Sequence, residues 1–440
     1  MSSMQDNIFM SHLTQDELNR IIQLHKLYVQ GKNGGSRAII KFKNLSGLNM
    51  SGADLSHADF TGSCFIGTNL SKGNFSSATF FACDMRRANL EEAKFIRADF
   101  RGAFVAGANL EGADLKSADM REGRIVEKVN KGVADNATSE ESKPYRSDGV
   151  ARTVFAGARM VSTNLSAIRA SSADFSDADL TNVEIQGADL RNANMEGANL
   201  SHTNLSGSDL RGANLKNSIL TNAKLEGIEK AGANFEGVID DRKQGMSMED
   251  IEESMEDLLT QHAKWIGSSG DVGKRLHLSG YDMREWTDLK SYTLTAMKAV
   301  GANFVNQDFS EMDIQSAIFD ESDFRDCNFT KADLRGTSFK EARMSRCNFT
   351  EANLAPLMFK NPDGTNRVMP VNMNGVTMRY SIMKNAVMVG IRLKGADLSF
   401  ADFSGADLRK ADLTGANLTG TIFAGAQTDG AMLDPNVKIE

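Results

Sequence analysis

The residues able to do chemistry in this 440-residue chain are scattered rather than grouped. Its six histidines are His12, His25, His57, His202, His262 and His277; none stands in an H-E-x-x-H frame, which would set two imidazoles on one helix face for zinc. The four cysteines, Cys64, Cys83, Cys327 and Cys347, have neither a paired metal-ligand spacing nor the pattern of a disulfide framework. Carboxylates such as Asp54, Asp59, Asp99 and Asp114 recur so regularly that their pairing carries no signal for acid–base work. Gly102, Gly107 and Gly112 follow a five-residue spacing, unlike a phosphate-binding loop. No catalytic residue, cofactor site or metal site is expected, and the chain reads as a non-enzyme.

Charge and hydropathy narrow the classes further. Fifty Lys+Arg against 58 Asp+Glu give a net charge of −8, without the basic excess of a direct nucleic-acid binder. No run of 18 apolar residues is present, so no membrane span is expected. Met1 to Met10 lack a basic segment and a small-residue cleavage site, which points to the cytoplasm, although specialised secretion needs no cleavable signal. Only 5 prolines occur, against 24 phenylalanines, so the fold excludes one and stacks the other.

The elements that hold these residues follow a period of five. From Leu45 to Met120 a bulky apolar residue recurs at every fifth position, as in Leu55, Phe60, Phe65, Leu70, Phe75, Phe80, Met85 and Leu90. Two residues earlier sits a small one (Ala53, Ala58, Ser63, Ala78, Cys83), with Asp or Asn usually between. The frame continues from Phe155 to Phe235, Leu289 to Leu354 and Met373 to Leu433. Five matches neither a helix nor a plain strand; it suits a short extended piece followed by a corner. Small and bulky residues, two apart, face the same side of an extended piece, while Asp, Asn, Ser and Gly suit corners. All five prolines (Pro144, Pro356, Pro362, Pro370, Pro435) fall in breaks or in the tail, since proline supplies no N–H to a neighbouring coil.

This tandem A-(D/N)-L-x-x motif, plain in Gly197-Ala198-Asn199-Leu200 and Gly405-Ala406-Asp407-Leu408, resembles the pentapeptide-repeat family. The resemblance implies an all-β solenoid, a right-handed quadrilateral β-helix with four pentads per coil. A twenty-residue coil would align Phe60, Phe80 and Phe100 in one core column and Phe309, Phe329 and Phe349 in another.

Two short α-helical caps are expected. Thr14 with Glu17 forms a capping box ahead of a stripe of Leu18, Ile21, Ile22, His25, Tyr28 and Val29. Ser247 with Asp250 forms a similar box ahead of Met255, Leu258, Leu259, His262, Trp265 and Ile266. The segments align residue for residue, and Arg37 and Arg275 follow in corresponding places. His25, Tyr28, Arg37, His262, Trp265 and Arg275 are therefore read as cap residues, each histidine anchoring its cap to a coil by a hydrogen bond. A duplication follows: a cap over 1–44, a solenoid over 45–238, a second cap over 239–275, a second solenoid over 276–433 and a tail over 434–440.

Two breaks, 121–152 and 355–372, read as loop insertions, the second containing the turn signal Asn361-Pro362-Asp363-Gly364. Loops are where scaffolds commonly place contacts, so Glu127, Lys131, Tyr145, Arg146, Asn361, Asp363 and Arg367 are the candidate interaction residues. The expected function is a protein–protein interaction scaffold with a protein partner. The resemblance also implies two alternatives: a DNA-mimicking protein that binds a type II topoisomerase such as gyrase, and a secreted bacterial effector. Charge argues against the mimic. Segments 45–120 and 155–235 each hold nine acidic and seven basic residues, whereas 239–265 holds eight and three, so the acidic surplus is off the repeat.

Overall fold

The hydrogen bonds of a single pentad show why the chain turns every five residues. In 178–182 the Ala178 N–H donates to the Phe175 carbonyl at 3.1 Å, closing a turn, and the Asp179 N–H donates to Ala158 one coil earlier at 2.9 Å. The Leu180 and Asn182 N–H groups donate to Asn199 and Ser201, one coil later, at 2.7 and 3.0 Å. That leaves only the Thr181 N–H, and the Asp179 carboxylate accepts it at 3.2 Å. Every N–H of the pentad has an acceptor, as packed backbone requires. The same side-chain bond recurs at Asn44, Asp99, Asp209, Asp333 and Asn417, which explains why Asp or Asn fills this place in the repeat.

The corner residue two beyond the bulky one has positive φ, +58° at Asn182 for example, as the third residue of a type II turn does. Side chains as large as Phe42 and Phe400 occupy such corners. The Phe42 ring lies over Gly62 of the next coil, where an added Cβ would meet it at 2.5 Å.

The computed structural model describes residues 10–124, 150–243, 245–251, 253–286, 290, 292–360 and 365–435. It divides into two compact units, Met1–Asp241 and Arg242–Glu440. In each, single-residue bridges link a pentad in parallel to one twenty residues on, as in Asp54↔Asn74↔Lys94↔Asp114 and Asn303↔Asp323↔Arg343, so successive coils hold four pentads. Longer strands are few. β1 (Ser11–His12) pairs in parallel with β2 (Lys43–Asn44), and β3 (Gly123–Arg124) pairs antiparallel with β4 (Val150–Ala151). β5 (Leu357–Lys360) and β6 (Asn366–Met369) form an antiparallel hairpin. The wall itself is a ladder of bridges between turns.

Insertions leave the ladder intact. Asp114 bridges Asn164 and Asn353 bridges Val387, spacings of fifty and thirty-four residues, so the ladder skips thirty and fourteen residues and resumes in register. The edges of the first break are part of the structure: β3 pairs with β4, Ala151 is buried, and the Thr153 hydroxyl donates to the Arg121 carbonyl at 2.9 Å. A further single residue enters early in the second unit, where His277 bridges Lys298.

Each unit has its own core, one running from Leu18 to Val238 and the other from Leu259 to Leu413. Phe60, Phe80 and Phe100 are fully buried and stack at centroid distances of 5.0 and 5.2 Å. Phe309, Phe329 and Phe349 do the same at 4.9 and 4.7 Å. At several pentads a polar small residue reaches the carbonyl of the coil below, although the buried Ser218 hydroxyl does not. Ser63 donates to Ile40 at 2.8 Å, and the Cys83, Cys327 and Cys347 thiols donate to Phe60, Phe304 and Phe324 at 3.0, 3.0 and 2.9 Å. Burial pushes all three thiols up, so they stay protonated and pack as small hydrophobes.

Helix α1 (Gln15–Val29) begins at Thr14 with both halves of the capping box formed. In the second unit the box at Ser247 does not start the α-helix. The Asp250 carboxylate accepts from the Ser247 N–H at 2.6 Å and caps only a 3-10 turn, Met248–Asp250. Helix α2 (Met255–Gly267) starts from Ser254, whose hydroxyl accepts from the Asp257 N–H at 3.1 Å. The chain carries S-x-x-D twice there, and each copy caps its own turn.

Candidate functional site

Three surfaces could carry function: the helical ends, the charged walls and the hairpin. At the first end, α1 completes the edge of the opening coil. The Gln15 carboxamide binds the Asn49 backbone as a strand would, donating to its carbonyl at 2.7 Å and accepting its N–H at 2.8 Å. His25, fully buried, lies with Nε2 2.9 Å from the Ser56 carbonyl while Nδ1 accepts the Ala38 N–H at 2.9 Å. In the second unit His262, also fully buried, repeats this, with Nε2 3.0 Å from the Thr295 carbonyl and Nδ1 accepting from Leu276 at 3.0 Å. Each ring is thus a neutral imidazole, a donor at Nε2 and an acceptor at Nδ1. Arg37 donates to the His57 carbonyl at 2.6 Å, and Arg275 donates to Ala296 while its guanidinium sits 5.8 Å from the Trp265 ring centre. Trp265 stacks on His262 at 5.9 Å. Tyr28 and Val29, read from sequence as the end of a buried stripe, are exposed, because only Leu18 and His25 of α1 are fully covered by the coil.

Burial is the main cause that lowers both histidines below the ordinary imidazole value. In the unfolded chain they titrate near 6.5. The unfolded state therefore binds more protons as pH falls through that value, and the stability the rings contribute is complete above about pH 6.5 and lost below it. Thermal melting is expected to hold steady from pH 8 to 7 and fall between 6.5 and 5. A His25→Asn/His262→Asn variant should lose most of that limb, leaving the smaller share of His277, which burial also lowers, and an unchanged limb would show that other groups carry it.

The walls are charged, and many of their charges pair with one another. Asp two residues before Arg forms a bidentate pair at Asp99/Arg101, Asp189/Arg191, Asp209/Arg211, Asp333/Arg335 and Asp407/Arg409. The guanidinium beside each of Asp189, Asp209 and Asp407 holds that carboxylate below its usual range. Pairs also link coils, Arg191 to Asp209 at 3.7 Å and Arg169 to Asp119 at 3.5 Å. Among the described residues no group of three His, Cys, Asp or Glu side chains is placed to hold a metal, and no helix is long and apolar enough to cross a membrane.

The hairpin differs from the walls. Register sets Met358 opposite Val368 and Lys360 opposite Asn366 on one face, with Leu357 opposite Met369 and Phe359 opposite Arg367 on the other. Leu357 and Met369 seat it on the coil over Gly336, where an added Cβ would meet them at 3.0 and 2.7 Å. Beyond that seat Met358, Phe359 and Val368 are 59%, 42% and 51% exposed, apolar side chains on both faces of a projection. Sequence reasoning took the turn signal but missed these strands, whose LMFK and NRVM lack plain alternation. Of the candidate contact residues Arg367 lies on β6; Glu127, Lys131, Tyr145, Arg146, Asn361 and Asp363 lie outside the described residues.

Coils of four pentads, closed by side chains that serve the backbone, define a repeat protein. The family model for pentapeptide repeats matches in eight copies, over residues 44–76, 74–112, 93–125, 158–197, 193–228, 327–355, 372–409 and 396–431, and the chain belongs to that family. Similar solved structures include full-length QnrB1, a plasmid-mediated fluoroquinolone resistance protein, at 24% identity over 44% of this chain and 83% of that one, TM-score 0.18. HetL of the cyanobacterium Nostoc sp. strain PCC 7120, a pentapeptide repeat protein involved in heterocyst differentiation regulation, is 20% identical over 98% and 100%, TM-score 0.14. The Nostoc pentapeptide repeat protein alr5209 is 33% identical over 20% and 75%, TM-score 0.19. No curated protein matches the sequence.

Proposed function

We propose that this chain is a non-enzymatic scaffold, a duplicated right-handed quadrilateral β-solenoid that works in a reducing compartment by protein–protein contact. Its units correspond to cap plus coils, with boundaries near 44, 238 and 275. The observation that carries the reading is the fate of the reactive side chains. Asp and Asn cap backbone N–H groups, Arg neutralises Asp, thiols and hydroxyls serve carbonyls, and both buried histidines hold caps. What the repeat does not use is the projecting hairpin and the first insertion, and contact function is assigned there.

The test is affinity capture from the native cell, comparing the intact chain with two deletions that keep the coil register. Removing 356–369 with Pro370→Gly, or 122–151 with Arg152→Gly, restores twenty-residue spacing. Melting temperature should fall by no more than a few degrees in either, and a partner held by the intact chain should be lost in at least one. Retention of every partner by both deletions would contradict the assignment. The gyrase-binding alternative fares worse, because carboxylates already paired with Arg present little unopposed negative charge to a basic groove. A supercoiling assay should show neither inhibition nor drug protection; either effect would reverse this ranking.

A further inference from the structure

We propose that the β5–β6 hairpin docks an extended peptide segment that is apolar in the half lying near the coil and acidic in the half lying toward the hairpin tip, added as a third strand to an edge of the two-stranded sheet. This rests on the reading of the chain as a contact scaffold and names the chemistry of its partner.

The hairpin is a two-stranded sheet among the described residues, so its outer backbone groups form an open edge. Such an edge is a template for another strand, and strand addition draws affinity from main-chain bonds and specificity from alternate side chains. Elsewhere in the unit the bridge-forming backbone is met by a neighbouring coil on both sides over most of its length. Here β5 and β6 stand outside that ladder and pair with each other.

Side chains set what the added strand must carry. Moving outward from the coil, one face presents Met358 and Val368, then Lys360 and Asn366. The other presents the half-buried Leu357 and Met369, then Phe359 and Arg367. Both faces therefore run from apolar to basic. Neither Lys360 nor Arg367 has a carboxylate partner among the described residues, in contrast to the paired arginines of the walls. A strand laid along either edge would meet apolar side chains near the coil, Met358 and Phe359 on β5 or Val368 on β6, and a basic one toward the tip, Lys360 or Arg367, where it would place carboxylates. A second copy of the hairpin fits poorly. Residues 355–370 carry two basic residues against one acid, Asp363, so edge-to-edge pairing of two hairpins would oppose like charges.

The probe is a fluorescein-labelled octapeptide of four valines followed by four glutamates, compared with its valine–lysine counterpart, titrated into the full chain by fluorescence anisotropy. The glutamate peptide should bind at least tenfold more tightly than the lysine peptide. Met358→Thr/Val368→Thr keeps strand-forming residues and should weaken binding about tenfold with the melting temperature unchanged, since both side chains are exposed. Lys360→Glu/Arg367→Glu should invert the preference toward the lysine peptide. Of two glutamate peptides N-methylated on opposite edges, only one should lose binding, because a strand adds through one edge.

Equal binding of the two peptides, binding that survives both double variants, or no binding would overturn the proposal. In the last case the basic residues serve only to keep an exposed edge from pairing. Self-association abolished by the hairpin deletion would also overturn it in favour of a second copy. If the peptides fail while a cellular partner still requires residues 356–369, the peptide chemistry is wrong and the scaffold reading stands; if neither depends on the hairpin, both fall.

Discussion

Phe324→Ala should destabilise the second unit by about 3–5 kcal/mol, the usual loss for a large aromatic removed from a core. Phe324 is fully buried and touches five other rings. It stacks on Phe304 at 4.9 Å and 8°, and meets Phe319 edge-on at 5.1 Å and 83°. The ring stacks in one column of the core and packs against two neighbouring columns, and each coil is held in register by neighbours above and below, so the void has little to collapse into. Phe324→Leu should cost clearly less, since leucine fills equivalent positions at Leu334 and Leu398. Denaturant unfolding of the full chain checks this. A loss below about 1 kcal/mol for the alanine variant would mean that the rings do not carry the stack.

Lys94→Pro is expected to be nearly as damaging, although the side chain it removes is exposed. The Lys94 N–H donates to the Gly73 carbonyl at 2.8 Å, and the residue bridges both Asn74 and Asp114. Proline deletes that donor and leaves the Gly73 carbonyl without its partner, about 1–3 kcal/mol from the lost bond. Its ring adds steric cost by crowding the coil below, where a ladder has no slack. Lys94→Ala keeps the backbone bond and should stay within about 0.5 kcal/mol of the parent. Equal stability of the two variants, read by thermal melting, would show that the inter-coil bonds are dispensable and remove the stated reason for the scarcity of proline.

The sequence was informative wherever one physical rule repeats. A bulky residue every fifth position, with a small one two before it, has few realisations, and Phe60 and Phe80 are stacked where that spacing puts them. The matched histidines could be paired because each unit meets the same demand, an open coil edge that needs both a donor and an acceptor. What stayed hidden was decided by competition between equal local signals or by tertiary contact. Ser247 and Ser254 offer the same cap pattern, and nothing local says which starts the helix. Tyr28 and Val29 share a helical face with His25, yet the coil end covers that face only in part. The serving of a backbone N–H by Asp or Asn could be guessed as a corner preference, but its specific target, the residue two ahead, emerges only when all five donors of a pentad are followed. For the hairpin, the four residues Leu357–Lys360 carry no period long enough to distinguish a strand from a loop.

Stacking of twenty-residue coils is tested most directly by a spin-label distance between Lys94 and Lys224, both exposed, replaced by cysteine in a Cys64→Ser background. Bridges connect Lys94 to Lys224 through Asp114, Asn164, Glu184 and Asn204, five steps along one wall of the first unit. At the strand spacing of ~4.8 Å per step, a single narrow distribution centred near about 24 Å is expected. A broad distribution, or a mean beyond about 35 Å, would contradict the stacked coil and the surfaces assigned on it.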